Sequence, residues 1–130
     1  MAKALSIKEP YATLIRDGVK RIETRSWKTN YRGELYIHAS ACKIPKEYRD
    51  NEALMSIVGN RTMHYGQIIA KANLVDCIPI TDSLIKEIGL DEYICGFYSE
   101  GRYAWVLEDV ELIEPVKAKG KLGIWEVEIL

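Results

Sequence analysis

The sequence predicts an α+β domain, a small mixed β-barrel with two to three short helices at its ends. Three observations carry that expectation. At least five segments show the period-two or continuously apolar pattern of strands, and two of them, near the C-terminus, are especially strong. Between the strands lie short stretches with helix-start and helix-stop residues. The 130 residues, 48% hydrophobic and 28% charged, suit one globular domain spanning 1–130, large enough to fold without disulfide or metal staples.

The opening segment ALSIKEPYATLIRDGVK starts as a short apolar strand. Pro10 then fits the first turn of a helix and Gly18 the position just past its end, with Ala12, Leu14 and Ile15 free to bury one side. From Ile22 the period becomes two. Glu23, Arg25 and Trp27 share one face of that strand and Ile22, Thr24 and Ser26 the other, so one face is charged, which is unusual for a core strand. Asn30 to Gly33 reads as a turn. GELYIHAS alternates again, with Leu35, Ile37 and Ala39 on one side and Tyr36, His38 and Ser40 on the other.

Pro45 introduces a helix over KEYRDNEALMSIV, ending near Gly59, with Tyr48, Leu54, Met55 and Val58 as inward packing contacts. QIIAKANLVDCIPI is rich in Ile and Val and reads as a long strand. TDSLIKEIG is a short helix capped by Thr81 or Asp82 and stopped at Gly89. DEYICGFYSEG reads as a loop exposing Tyr93, Phe97 and Tyr98, aromatics that stack on a base or close over a barrel end. RYAWVLEDVELI and LGIWEVEIL are the two strong strands, joined by EPVKAKGK; Trp105 and Trp125 within them read as core.

Several function classes fall away on composition. No window approaches the roughly 20 apolar residues of a membrane span, and the N-terminus lacks a secretion-signal pattern, so a cytoplasmic protein with no membrane partner is expected. Cys42, Cys77 and Cys95 are an odd set at wide separations and read as free thiols. His38 and Cys42 are four apart, but on a strand running into a loop; neither a metal nor another cofactor is expected. P-loop, GxGxxG, GxSxG, HExxH and EF-hand patterns are absent, and no segment signals an oligomer interface.

Charge is uneven beneath a net of −1: residues 1–50 carry +5 and residues 51–130 carry −6. The bases concentrate between Arg16 and Arg32, a local positive patch able to attract phosphate. Within it, Gly18 ends a helix, Lys20 lies in the connection, and Glu23 and Arg25 project from one strand face. A carboxylate flanked by two cations orients them, and the cations meet phosphate or a nucleobase carbonyl. Trp27 adds a stacking plane. Arg32, Lys8 and Tyr103 complete the candidate binding set, with Glu9 also near the rim.

LSIKEPYATLI, GVKRIETRSW, YRGELYIHAS, YGQIIAKANLVDC, GRYAWVLEDV and KGKLGIWEV, in that order, resemble the ASCH domain family of the PUA-like superfamily over nearly the whole chain. The most specific part is the GxKxxExR signature, standing as Gly18, Lys20, Glu23 and Arg25. The resemblance implies a PUA-like β-barrel whose cleft is floored by that signature, with RNA or a nucleoside-like small molecule as the partner contacted by Lys20, Glu23 and Arg25. Some short bacterial members are amidohydrolases of N4-acetylcytidine using a lysine, a threonine and a glutamate. Lys20 matches that lysine, but Glu23 stands where the threonine would, Thr24 points to the other face, and Glu100 and Glu108 are the regional candidates for the glutamate. Binding is therefore the preferred reading. Hydrolysis by Lys20 and Glu23, of an amide or of RNA, is the alternative, and a protein-interaction adaptor is a third.

Overall fold

The computed structural model describes residues 1–129. Six strands form one mixed sheet in the order β2-β5-β4-β3-β1-β6, where β1 is Ala2–Ile7, β2 Ile22–Arg25, β3 Gly33–Ala39, β4 Gln67–Pro79, β5 Tyr103–Lys117 and β6 Ile124–Val127. Only β1 and β3 pair in parallel. The α+β expectation holds, but the sheet does not close into a barrel: β2 and β6 are both edges.

The gap is bridged by a side chain instead of a ladder. Pairing of β6 with β1 stops at Leu5 opposite Ile124, which leaves the end of β1 without a strand neighbour on that side. The Arg25 Nη2 group, at the end of β2, donates to the Ser6 carbonyl there at 2.7 Å. A short edge strand with a charged residue at its end also resists pairing with another chain. The long central pair β4 and β5 slips register at three places, and such bulges bend the sheet towards closure. Pro115 lies in one of these irregular stretches, between the Ala70–Leu112 and Ile68–Val116 pairs, where the missing N–H costs no ladder bond. That is why β5 runs on to Lys117, through what the sequence suggested was a connector.

Among the described residues five helices flank the sheet, more than expected: α1 Tyr11–Arg16, α2 Lys46–Arg49, α3 Glu52–Val58, α4 Asp82–Ile88 and α5 Leu90–Ile94. The single helix expected over 46–58 is broken at Asp50 and Asn51, because Asn51 takes an extended conformation and its side chain caps α3 by accepting from the Leu54 N–H at 3.0 Å. The expected loop over 91–101 begins as α5. Helix α1 buries Tyr11 through Ile15 against the sheet. Full burial of Leu14 and Ile15 contributes about 1.5–3 kcal/mol each. The helix has no side-chain cap from Pro10; the fully buried Glu9 supplies it, accepting from the Thr13 N–H (2.8 Å), the Thr13 hydroxyl (2.6 Å) and the His64 N–H (2.8 Å). Glu9 thus points into the core.

Candidate nucleotide-binding cleft

Gly18 sets the site. Its φ of +79° turns the chain sharply after α1, and the N–H groups of Val19 and Lys20 both bond to the Leu14 carbonyl, at 3.0 and 3.1 Å. That turn drives the Lys20 side chain inward, where it is 1% exposed. Its Nζ donates to the Cys95 carbonyl, lies 3.8 Å from Glu23 Oε1 and sits 5.1 Å from the centroid of the Tyr11 ring. Burial pushes the Lys20 ammonium below the ordinary lysine range; Glu23 and Glu92 oppose that shift, and Arg25 adds a little to it.

Glu23 is also buried and bridges the two cations, with Oε2 accepting from Arg25 Nε at 3.0 Å. Arg25 is held at its other end by the Ser6 carbonyl. The strand periodicity that put Glu23 and Arg25 on one face therefore describes the geometry well. Thr24, expected on the other strand face, also lines the site and accepts from the Phe97 N–H through Oγ1 at 3.0 Å. Trp27 lies beyond the end of β2, 37% exposed, edge-on to the buried Trp105 ring, whose Nε1 donates to the Trp27 carbonyl at 3.2 Å.

These residues line a cavity of about 370 Å³. Lys8, Lys20, Glu23, Arg25 and Trp27 from the sequence-derived set all reach it. Arg32 and Tyr103 do not. Arg32 is spent on its own turn, donating from Nη1 to the Thr29 and Tyr31 carbonyls, with Asp76 at 3.8 Å. Tyr103 pairs with Arg25 across the ladder and packs against the main core. Glu100 and Glu108, the carboxylates weighed as a third catalytic group, also lie off the cavity.

Of the cavity's aromatic wall, only Phe97 stands out in the sequence, as a loop ring that stacks on a base or closes over a barrel end. Tyr11, Tyr48 and Phe97 meet with ring centroids 5.4, 5.6 and 6.2 Å apart, and all three line the cavity. In the sequence Tyr48 reads as an inward packing contact of the helix expected over 46–58, and Tyr11 carries no signal of its own; only the tertiary fold brings them together. Burial raises the pKa of both phenols, so both stay protonated. The buried carboxylate behind the site is Glu92 of α5, which accepts from the Arg21 N–H at 2.8 Å and from the Ile22 N–H at 3.4 Å. Arg102 joins the lining as a fourth cation.

The other candidates have structural roles. His38 is buried; its Nε2–H donates to the Ala118 carbonyl at 2.7 Å, which leaves Nδ1 to accept from the Ser6 hydroxyl at 2.9 Å, while Trp125 Nε1 donates to Ser6 Oγ at 3.1 Å. Cys42 is exposed, and Cys95 is buried with its thiol pushed up by burial. Among the described residues no group of three or more His, Cys, Asp or Glu side chains is placed to hold a metal ion, and no helix is long and apolar enough to cross a membrane.

Chemically, the cavity presents four cations against one carboxylate, with flat rings on one wall. The family model described as "ASCH domain" matches residues 5–117. Activating signal cointegrator 1 of Homo sapiens is 26% identical over 127 residues, covering 95% of this chain and 22% of that protein. Its counterpart in Mus musculus is 24% identical over 127 residues, with the same coverage. The chain thus spans 22% of the length of the curated relatives it matches. A crystal structure of a mutant ZmASCH protein from Zymomonas mobilis shares the fold, with a TM-score of 0.55 and 18% identity, over 89% of this chain and 75% of that one.

Proposed function

Because the chain belongs to the ASCH domain family, we propose that the cavity binds a nucleotide, presented either by single-stranded RNA or as a nucleoside-like small molecule. The observation that carries this reading is the combination of a cationic lining, Lys8, Lys20, Arg25 and Arg102 against Glu23 alone, with aromatic walls. Phosphate needs the first and a base the second. At about 370 Å³ the cavity is near the lower end of the roughly 300–1,000 Å³ of ligand pockets, so it takes one ring system and its substituents.

In this reading Arg25 and Lys8 meet phosphate or carbonyl oxygens, Glu23 accepts from a base amine, and Trp27 stacks. Lys20 works from beneath. It holds Glu23 in position, and its contact with the Cys95 carbonyl fixes the opposite wall. Replacing Arg25 with Ala should weaken RNA binding by about 1–3 kcal/mol and lower the salt slope by about one. A titration at two salt concentrations, with RNA and with a nucleoside monophosphate, reads both, and the lack of salt-sensitive binding of either ligand would refute the proposal.

One observation favours a second reading, a hydrolase. A lysine with a lowered pKa beside a carboxylate is equipped for proton transfer. Neutral Lys20 would take a proton from a water attacking the acyl carbon of an amide, as in N4-acetylcytidine, or the phosphorus of a phosphoester, and Glu23 would relay that proton to the departing amine nitrogen or alkoxide oxygen as the C–N or P–O bond breaks. Turnover that vanishes in Lys20→Ala and Glu23→Gln, with folding retained, would establish this reading over simple binding.

A further inference from the structure

We infer that Phe97, with Arg102 beside it, forms a second base-stacking subsite at the rim, for the nucleotide adjacent to the one in the cavity of a single-stranded RNA. The inference rests on the cavity being a nucleotide site. Phe97 is 46% exposed, yet its backbone is unusually constrained. Its N–H donates to Thr24 Oγ1 at 3.0 Å, and its carbonyl accepts from Arg102 Nε at 2.9 Å. Arg102 Nη2 reaches on to the Thr24 carbonyl at 3.3 Å, so one guanidinium ties the loop to β2.

The neighbouring residues tighten the same loop. Lys20 grips the Cys95 carbonyl, and a Cβ on Gly96 would stand 2.8 Å from the Tyr98 ring and 3.2 Å from Thr24 Cγ2, so the chain is already seated as closely as it can be. On its inner side the Phe97 ring meets Tyr48 and Tyr11. Arg102 lies over the ring, its guanidinium carbon 5.8 Å from the centroid, so a base would stack on the part of the ring that this cation leaves exposed. An exposed apolar ring whose backbone has lost its freedom before binding stacks at a lower entropic cost than a loose one.

Other exposed rings are differently placed. Tyr93 is already stacked on Tyr98 at 5.8 Å, and Tyr65 does not line the cavity. The occupant follows from charge. Lys8, Arg25 and Arg102 line the cavity beside Phe97, a charge that complements a phosphodiester, and each base of a single strand offers a face for stacking regardless of its identity.

The test compares a nucleoside monophosphate with a single-stranded RNA tetranucleotide, on wild type, Phe97→Leu and Phe97→Trp. Leu keeps apolar bulk against the tyrosines and removes the flat face; Trp keeps the face. Wild type should bind the tetranucleotide more tightly than the monophosphate. Phe97→Leu should weaken the tetranucleotide about five- to 150-fold more than it weakens the monophosphate, the span of one lost base stack, the loss for the monophosphate reporting the part that Phe97 plays in the cavity wall. Phe97→Trp should retain the preference. Equal weakening of both ligands by Phe97→Leu, loss of the preference in Phe97→Trp, or no tetranucleotide preference in wild type overturns the subsite and leaves the cavity reading standing. Failure of wild type to bind either ligand overturns both.

Discussion

Burying an ammonium group costs several kcal/mol unless partners replace its water, and Lys20 has only a carbonyl, an aromatic face and a carboxylate at 3.8 Å. Its pKa is therefore lower in the folded chain than in the unfolded one. Between those two values the unfolded chain binds more protons, so stability rises with pH there. The penalty is complete below the lowered pKa and is relieved as pH climbs towards the free-lysine value of about 10.4. Measured against Lys20→Met, which lacks the titrating group, wild type should gain in Tm as pH rises towards about 10; an unchanged difference would mean that Lys20 remains fully charged throughout. Lys20, Glu23 and Arg25 were legible in the sequence because the helix stop at Gly18 and the period of two are local signals. Tyr11, Tyr48 and Arg102 were not, since their convergence depends on contacts between distant segments.

At the scale of elements, β2 and α5 hold each other by reciprocal clamps. Glu92 of α5 accepts from the backbone at the start of β2, and Lys20, just before β2, donates to the carbonyl that ends α5. Glu92→Gln retains one acceptor and loses the other, leaving a partly buried N–H unpaired, and should cost about 1–3 kcal/mol in urea unfolding. A loss confined to a few tenths would show that the clamp is dispensable. A second junction lies at Gly120, where a Cβ would stand 2.6 Å from Ser6 Oγ and 2.8 Å from His38 Cε1. Gly120→Ala should therefore destabilise by about 1–3 kcal/mol, read as a fall in Tm, because both neighbours are fixed by hydrogen bonds. An unchanged Tm would mean that residues 118–120 can move aside. The strands were the legible elements, and their ends were not: Asn51 breaks a continuous helical pattern by capping, and Pro115 sits inside a strand because a bulge accommodates it.

Across the whole molecule, the open sheet is what makes a site. In a closed barrel the space between β2 and the end of β1 would be filled by ladder bonds; here Arg25 spans it, and the cavity opens beside that bridge. The alternation of apolar residues indicates strands and their inward faces, but closure depends on strand tilt and register across the sheet, which a single sequence does not encode locally. The uneven charge also acquires a location. Cations drawn from the end of β1, from β2 and from the start of β5 converge on one opening in a chain whose net charge is −1, so attraction of phosphate is local and should be strongly screened by salt. The most direct measurement of the central claim is a titration of wild type and Arg25→Ala with short single-stranded RNA at low and high salt, with bound and chemically altered RNA both followed by mass spectrometry. Binding should weaken with salt and fall by about 1–3 kcal/mol in the variant, with a shallower salt slope; wild-type and variant curves that coincide, or no binding at either salt, would contradict a nucleotide site in this cavity.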